Sequence, residues 1–157
     1  MITIINNETG NFASVLNMVK KTVNDVELTD SYDKISKSNI LILPGVGNFD
    51  QVMSKIYEKK IDKAIFNALD NNCKLLGICA GMQALFNKSD EGNLDGLKLL
   101  NGEVIKFKFE DKKYKIPHMG WNTVTFKQES NFNDILKENK FYFAHSYYVY
   151  CNDKNDI

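Results

Sequence analysis

The sequence carries no excess charge of either sign: Lys and Arg together number 20, and so do Asp and Glu. Binders of nucleic acid and other polyanions present a basic face, so its absence argues against nucleic acid as a partner. Long apolar runs are missing too. The opening Met1-Ile-Thr-Ile-Ile-Asn6 is too short for a secretion signal, and no later run approaches the length of a membrane span. A cytoplasmic protein with no membrane partner is expected. Cysteine is scarce: Cys73, Cys79 and Cys151 are odd in number and lack the paired spacing of a zinc site. On that ground neither a disulfide framework nor a structural metal is expected, nor is a cofactor.

What is present is the composition of an ordinary globule, with 43% hydrophobic and 25% charged residues, which excludes disorder and fibrous repeats. A chain of 157 residues suits one domain, and at that size folding hides roughly 70% of the unfolded surface. Ile2 to Ile5 is an uninterrupted β-branched run, followed by turn residues Asn6 to Asn11 and then by Phe12, Val15, Leu16 and Val19 at helical spacing. Strand, loop and helix are read from this order, with the apolar helix face against a sheet and Lys20-Lys21 at the carboxyl end of its dipole. Val26 to Thr29 is a short strand. Ile40-Leu-Ile-Leu43, stopped by Pro44-Gly45, has the continuous apolarity of a strand covered on both faces, which implies parallel pairing.

Ile61, Ala64, Ile65, Ala68 and Leu69 mark another amphipathic helix, and Leu75 to Cys79 runs as a strand straight into a helix from Ala80 to Phe86. This alternation predicts an α/β fold, doubly wound, with a mostly parallel sheet flanked by helices. From about Gly102 the pattern changes. Glu103 to Phe109 and Thr123 to Phe126 read as strands joined through Pro117 to Asn122, which predicts an antiparallel section. Phe132 to Lys137 reads as helix, Phe141 to Tyr150 as one strand-like run, and Asp90 to Gly96 as an acidic loop.

Gly77-Ile-Cys-Ala-Gly81 has the spacing of a nucleophile elbow, in which a sharp turn between strand and helix presents a side chain above the sheet. The helix that follows would set amide groups and its positive end beside the sulfur, a setting that favours an anion. The same residues also fit a glycine-flanked core cysteine ending a buried strand. Pro44-Gly-Val-Gly-Asn-Phe49 follows another central strand and so falls at the same sheet edge, where glycines can turn backbone N–H groups toward a developing oxyanion; Pro-Gly is equally a simple turn.

Taken together and in order, Pro44-Gly-Val-Gly47, Gly77-Ile-Cys-Ala-Gly-Met-Gln83, Pro117-His-Met-Gly-Trp-Asn122 and His145-Ser-Tyr-Tyr148 resemble the glutaminase subunit of imidazole glycerol phosphate synthases, which are class I amidotransferases of flavodoxin-like architecture. Gly10-Asn11 and Ser14-Val15 also match that family's first loop and helix. The resemblance implies that Cys79 attacks the side-chain amide of glutamine to give a glutamyl thioester and ammonia. It places the backbone amides of Val46 and Ala80 at the oxyanion and matches Gly47, Gln83, Ser146 and Tyr147 to the groups that hold glutamine. It also implies a heterodimer with a cyclase, a (β/α)8 barrel that consumes the ammonia in histidine biosynthesis. Pro117, His118, Met119, Gly120, Trp121 and Asn122 match the segment that meets the cyclase, with Trp121 as leading contact and Tyr142 beside it; the alternative for the single tryptophan is a place in the core.

Three departures bear on this. Glu8 stands where the family has glycine, and Ala80 where it has leucine. The family's His-Pro-Glu segment, its base and orienting acid, follows the motif matching His145, and these residues contain none. The domain spanning 1–157 is therefore expected to be incomplete at its carboxyl end, to lack its last strands, and to turn over glutamine poorly. His118 and His145 match interface and substrate-side motifs and are not promoted to the base. The competing expectations are a subunit that docks without hydrolysing, a relative feeding another synthase such as one amidating surface sugars, and an independent cysteine hydrolase.

Overall fold

A computed structural model describes residues 1–111, 113–125 and 140–153. Four strands, β1 (Ile2–Ile5), β2 (Val26–Thr29), β3 (Ile40–Gly45) and β4 (Lys74–Cys79), form a parallel sheet in the order β2-β1-β3-β4. Leu41 to Gly45 of β3 are all buried, as its unbroken apolar sequence requires. The β3/β4 register pairs Ile40 with Lys74 and ends by pairing Gly45 with Cys79, so both motif-bearing turns leave the sheet at one level.

Helices α1 (Phe12–Lys20), α2 (Tyr32–Ser36), α3 (Phe49–Glu58) and α4 (Ile61–Asp70) connect these strands. The core joins Ile5, Leu41 and Leu43 of the sheet to Val52, Met53 and Ile56 of α3 and Ile61, Ala64 and Ile65 of α4. Burying each large aliphatic side chain contributes about 1.5–3 kcal/mol. Helix α1 lies over β1 and β2, but its face of Phe12, Val15, Leu16 and Val19 is only half-buried. Helix α3 is an addition to the expected elements. Asn48 caps it, accepting the Asp50 N–H at 2.9 Å through Oδ1, and Phe49, Val52, Met53 and Ile56 bury one side of it at helical spacing.

Beyond Cys79 come α5 (Ala80–Gln83), β5 (Lys88–Ser89), β6 (Gly102–Lys106), β7 (His118–Thr123), β8 (Lys140–His145) and β9 (Tyr147–Cys151). A second sheet runs β5-β6-β9, and β7 pairs with β8 in an antiparallel two-stranded sheet. The antiparallel section is thus present, with altered boundaries. Pro117 to Asn122, read as a connection, is largely strand β7, while Val124 and Thr125 of the expected strand lie outside it. Ladder partners decide this: His118 to Thr123 face His145 to Lys140 across the hairpin. Strand β6 stops at Lys106 instead of reaching Phe109, and the run from Phe141 to Tyr150 breaks at Ser146 into strands of two different sheets. Phe126 and the helix expected over Phe132 to Lys137 lie outside the described residues. Among the described residues no helix is long and apolar enough to cross a membrane.

Candidate active site

The turn from β4 into α5 carries the nucleophile candidate. Cys79 is exposed, with φ 55° and ψ −120°, a left-handed backbone that costs a non-glycine residue about 1–3 kcal/mol and persists only where packing enforces it. The enforcing contact is at Gly81, where a Cβ would run into the backbone carbonyl of Leu43. The elbow therefore sits directly on the end of β3. Helix α5 spans four residues, far shorter than the sequence run to Phe86 suggests, so the dipole beside the sulfur is that of a single turn.

Cys79 opens into a cleft of about 370 Å³ whose lining includes Val46, Gly47, Ala80, Gln83, Ser146 and Tyr147. Every residue matched to oxyanion or glutamine binding thus shares one cleft with the sulfur. Gln83 is buried, and Gly47 takes φ 104°, a conformation suited to glycine. The Val46 N–H does not point freely into the cleft: it donates to the Thr9 carbonyl, and Asn7 Nδ2 donates to the Pro44 carbonyl at 3.1 Å. Loop 6–11 is thereby fastened to loop 44–48. Glu8 in that loop has φ 61° and is held by Lys55 and Lys59, at 3.2 and 2.7 Å.

Glu91 also lines the cleft, a residue that the reading of Asp90 to Gly96 as an acidic loop passed over. Its Oε2 accepts the Phe49 N–H at the start of α3 at 2.9 Å, and its carbonyl accepts Asn48 Nδ2 at 3.2 Å. No local pattern signals this role, because it depends on α3 arriving from 42 residues earlier in the chain. Burial, followed by the negative charges of Glu91 and Asp90, pushes the Tyr147 hydroxyl above its ordinary range.

The opposite wall comes from the β7–β8 hairpin through Pro117, Met119, Ala144 and His145. His145 Nδ1 lies 2.7 Å from the Tyr147 carbonyl and Nε2 lies 2.9 Å from His118 Nδ1. Both ring nitrogens are engaged, leaving no lone pair for the Cys79 thiol. The residues matched to the partner segment are outward: Trp121 is 73% exposed, Met119 62% and Tyr142 56%, so the tryptophan is not in the core. Trp121 and Tyr142 meet edge-on, centroids 5.8 Å apart, and Pro117 and Asn122 are exposed while His118 and Gly120 are half-covered. A larger open cleft of about 720 Å³ flanks β7, lined by Phe107, Phe109, Tyr114 and Met119 among others, but it contains no cysteine. Among the described residues no group of three His, Cys, Asp or Glu is gathered to hold a metal.

Comparison with known proteins gives the family. Residues 3–156 match the family described as glutamine amidotransferase class-I. Imidazole glycerol phosphate synthase subunit HisH 2 of Methanococcus maripaludis is 46% identical over 159 aligned positions, which cover 100% of this chain and 78% of the relative. The HisH subunit of Bacillus velezensis is 37% identical over 100% of this chain and 76% of its own length, and that of Sulfurimonas denitrificans 39% over 99% and 77%. With a cysteine elbow facing the matched oxyanion and glutamine-side residues across one cleft, the chain belongs to the class-I glutamine amidotransferases, among the HisH subunits of imidazole glycerol phosphate synthase.

Proposed function

We propose that this chain acts in histidine biosynthesis as a single glutamine amidotransferase domain over residues 1–157, taking glutamine into the cleft above Cys79. Its ammonia goes to a cyclase, the (β/α)8-barrel partner of a cytoplasmic heterodimer. The observation that carries the reading is the meeting of the strained Cys79 with Val46, Gly47, Ala80, Gln83, Ser146 and Tyr147 in one cleft.

Cys79 Sγ attacks the glutamine amide carbon, and the carbonyl electron pair moves onto oxygen. The Ala80 N–H meets that oxyanion, joined by the Val46 N–H once it leaves Thr9; each such donor is worth about 100- to 1000-fold in rate. Collapse breaks the C–N bond, the nitrogen departs as ammonia after gaining a proton, and water then cleaves the thioester to glutamate. Gly47, Gln83, Ser146 and Tyr147 hold the substrate, and the Glu91 carboxylate suits its α-amino group. Pro117 to Asn122, with Tyr142, form the cyclase-facing surface, where the exposed Trp121 is the anchor.

The proton transfers need a general base, and neither His118 nor His145 is disposed as one. A positioned base is worth about 100- to 10,000-fold in rate, and neither imidazole supplies it. The engaged imidazoles and the exposed aromatic hairpin also favour a second reading, in which the subunit docks on the cyclase and binds glutamine without hydrolysing it.

The test is glutamate release from glutamine by the chain mixed with a cognate cyclase and its ligand, beside Cys79→Ala. Release that requires the cysteine is expected. Complex formation with no release selects the docking reading, and release indifferent to Cys79 overturns the nucleophile.

A further inference from the structure

The two histidines sit in a chain of hydrogen bonds whose direction is fixed by chemistry. A carbonyl only accepts, so His145 Nδ1, 2.7 Å from the Tyr147 carbonyl, carries a proton. In a neutral ring Nε2 is then the acceptor, and His118 Nδ1 donates to it across 2.9 Å. His118 Nε2 is left as acceptor toward Asn122 Nδ2 at 3.4 Å. Both rings are thus Nδ1–H tautomers. Ring packing holds them: His118 stacks on Phe143 with centroids 4.8 Å apart, and His145 meets Phe107 edge-on at 5.1 Å. The β7/β8 register sets His118 opposite His145.

This chain begins on β7, the strand that exposes Met119 and Trp121, and ends at the cleft segment Ser146–Tyr147. On that segment the Ser146 carbonyl is fixed from the other side by the Phe107 N–H at 3.0 Å. We propose that His118 and His145 are positioning residues, which carry the placement of β7 through directed hydrogen bonds to the Tyr147 carbonyl and so set Ser146 and Tyr147 for glutamine. The inference rests on the reading of Ser146 and Tyr147 as glutamine-holding residues. It gives the imidazoles a role in substrate binding that involves no proton transfer.

Long-range ¹H–¹⁵N correlation spectra of the ¹⁵N-labelled chain test the tautomers at about pH 8.5, above the usual imidazole range near 6.5. Both rings should be Nδ1–H; an Nε2–H signal from either overturns the relay. Two variants in a Cys79→Ala background, which prevents turnover, then test its purpose. His118→Phe keeps the ring stack and removes the donor, whereas His118→Asn puts an amide donor close to the place of Nδ1–H. His118→Phe should weaken glutamine binding about two- to tenfold and shift the Ser146 and Tyr147 amide resonances. His118→Asn should restore binding to within about twofold of its parent. Equal behaviour of the two variants overturns the proposal. Should the Cys79→Ala parent bind no glutamine, the glutamine reading of the cleft falls, and the tautomers with the Ser146 and Tyr147 resonances still decide the relay.

Discussion

Strands β3 and β8 are both rich in large apolar residues, yet one disappears into the core and the other stays on the surface. From Leu41 onward β3 is buried, whereas β8, with Phe141, Tyr142, Phe143 and Ala144, has no buried residue at all. The difference lies in what covers them. Among the described residues β3 has β1 and β4 on its two edges, α5 against it and Leu41 and Leu43 in one core cluster with α3, while β8 has β7 alone in its sheet. Apolarity drives burial only where a second layer exists to receive it. A two-stranded hairpin is marginal by itself, and on the proposed reading its exposed aromatics are the surface offered to the cyclase.

That contrast can be broken by matched truncations. Phe49→Ala empties a fully buried site under the parallel sheet and should lower unfolding free energy by about 3–5 kcal/mol, read from urea titration. Trp121→Ala should move the same titration by less than about 0.5 kcal/mol, because the side chain is 73% exposed. If the proposed heterodimer forms through this strand, its effect appears in the affinity for the cyclase, where a loss on the order of 2–4 kcal/mol is expected by calorimetry. A large stability loss from Trp121→Ala would mean the hairpin is a core element after all. Gly81→Ala sharpens the other side of the comparison: its Cβ meets the Leu43 carbonyl, so the elbow must shift, at about 1–3 kcal/mol of stability. Iodoacetamide labelling at Cys79 should report that shift as a changed rate, with Cys73 unreactive because burial pushes its thiol up.

The smallest effect concerns the ion pairs around Lys59. Hydrogen bonding from Lys59 is the main cause holding the Glu8 and Asp30 carboxyls below their ordinary range. A folded-state value below the unfolded one stabilises above the ordinary carboxyl range, and the contribution disappears as pH falls through the folded value. The urea midpoint of Lys59→Met should therefore trail that of the native chain at pH 7 and converge with it as pH falls through the lowered carboxyl values, by a small margin since these carboxyls are exposed.

The parallel half was largely readable, since β-branched runs and the Gly77 to Gly81 elbow are local signals. Helix α3 carries a local signal too, Phe49, Val52, Met53 and Ile56 at helical spacing behind Asn48, obscured only by its start inside the Pro44 to Phe49 turn. Strand β7 escaped for another reason. Gly120 and Asn122 are turn residues by local chemistry, and only pairing with a segment about twenty residues on makes them part of a strand. The break at Ser146 and the arrival of Glu91 in the cleft are likewise products of tertiary contact. The motif positions, by contrast, were legible as a set, and the fold brings Cys79 together with the residues matched to oxyanion and glutamine.

The hydrogen bond from Val46 to Thr9 has a metabolic corollary on the proposed reading. While that amide faces away, glutamine can lodge above the sulfur without its carbonyl meeting the second donor, so occupancy and consumption become separate events. A subunit built this way can stand loaded in a glutamine-rich cell and still leave the amino acid intact until an acceptor is ready for its nitrogen.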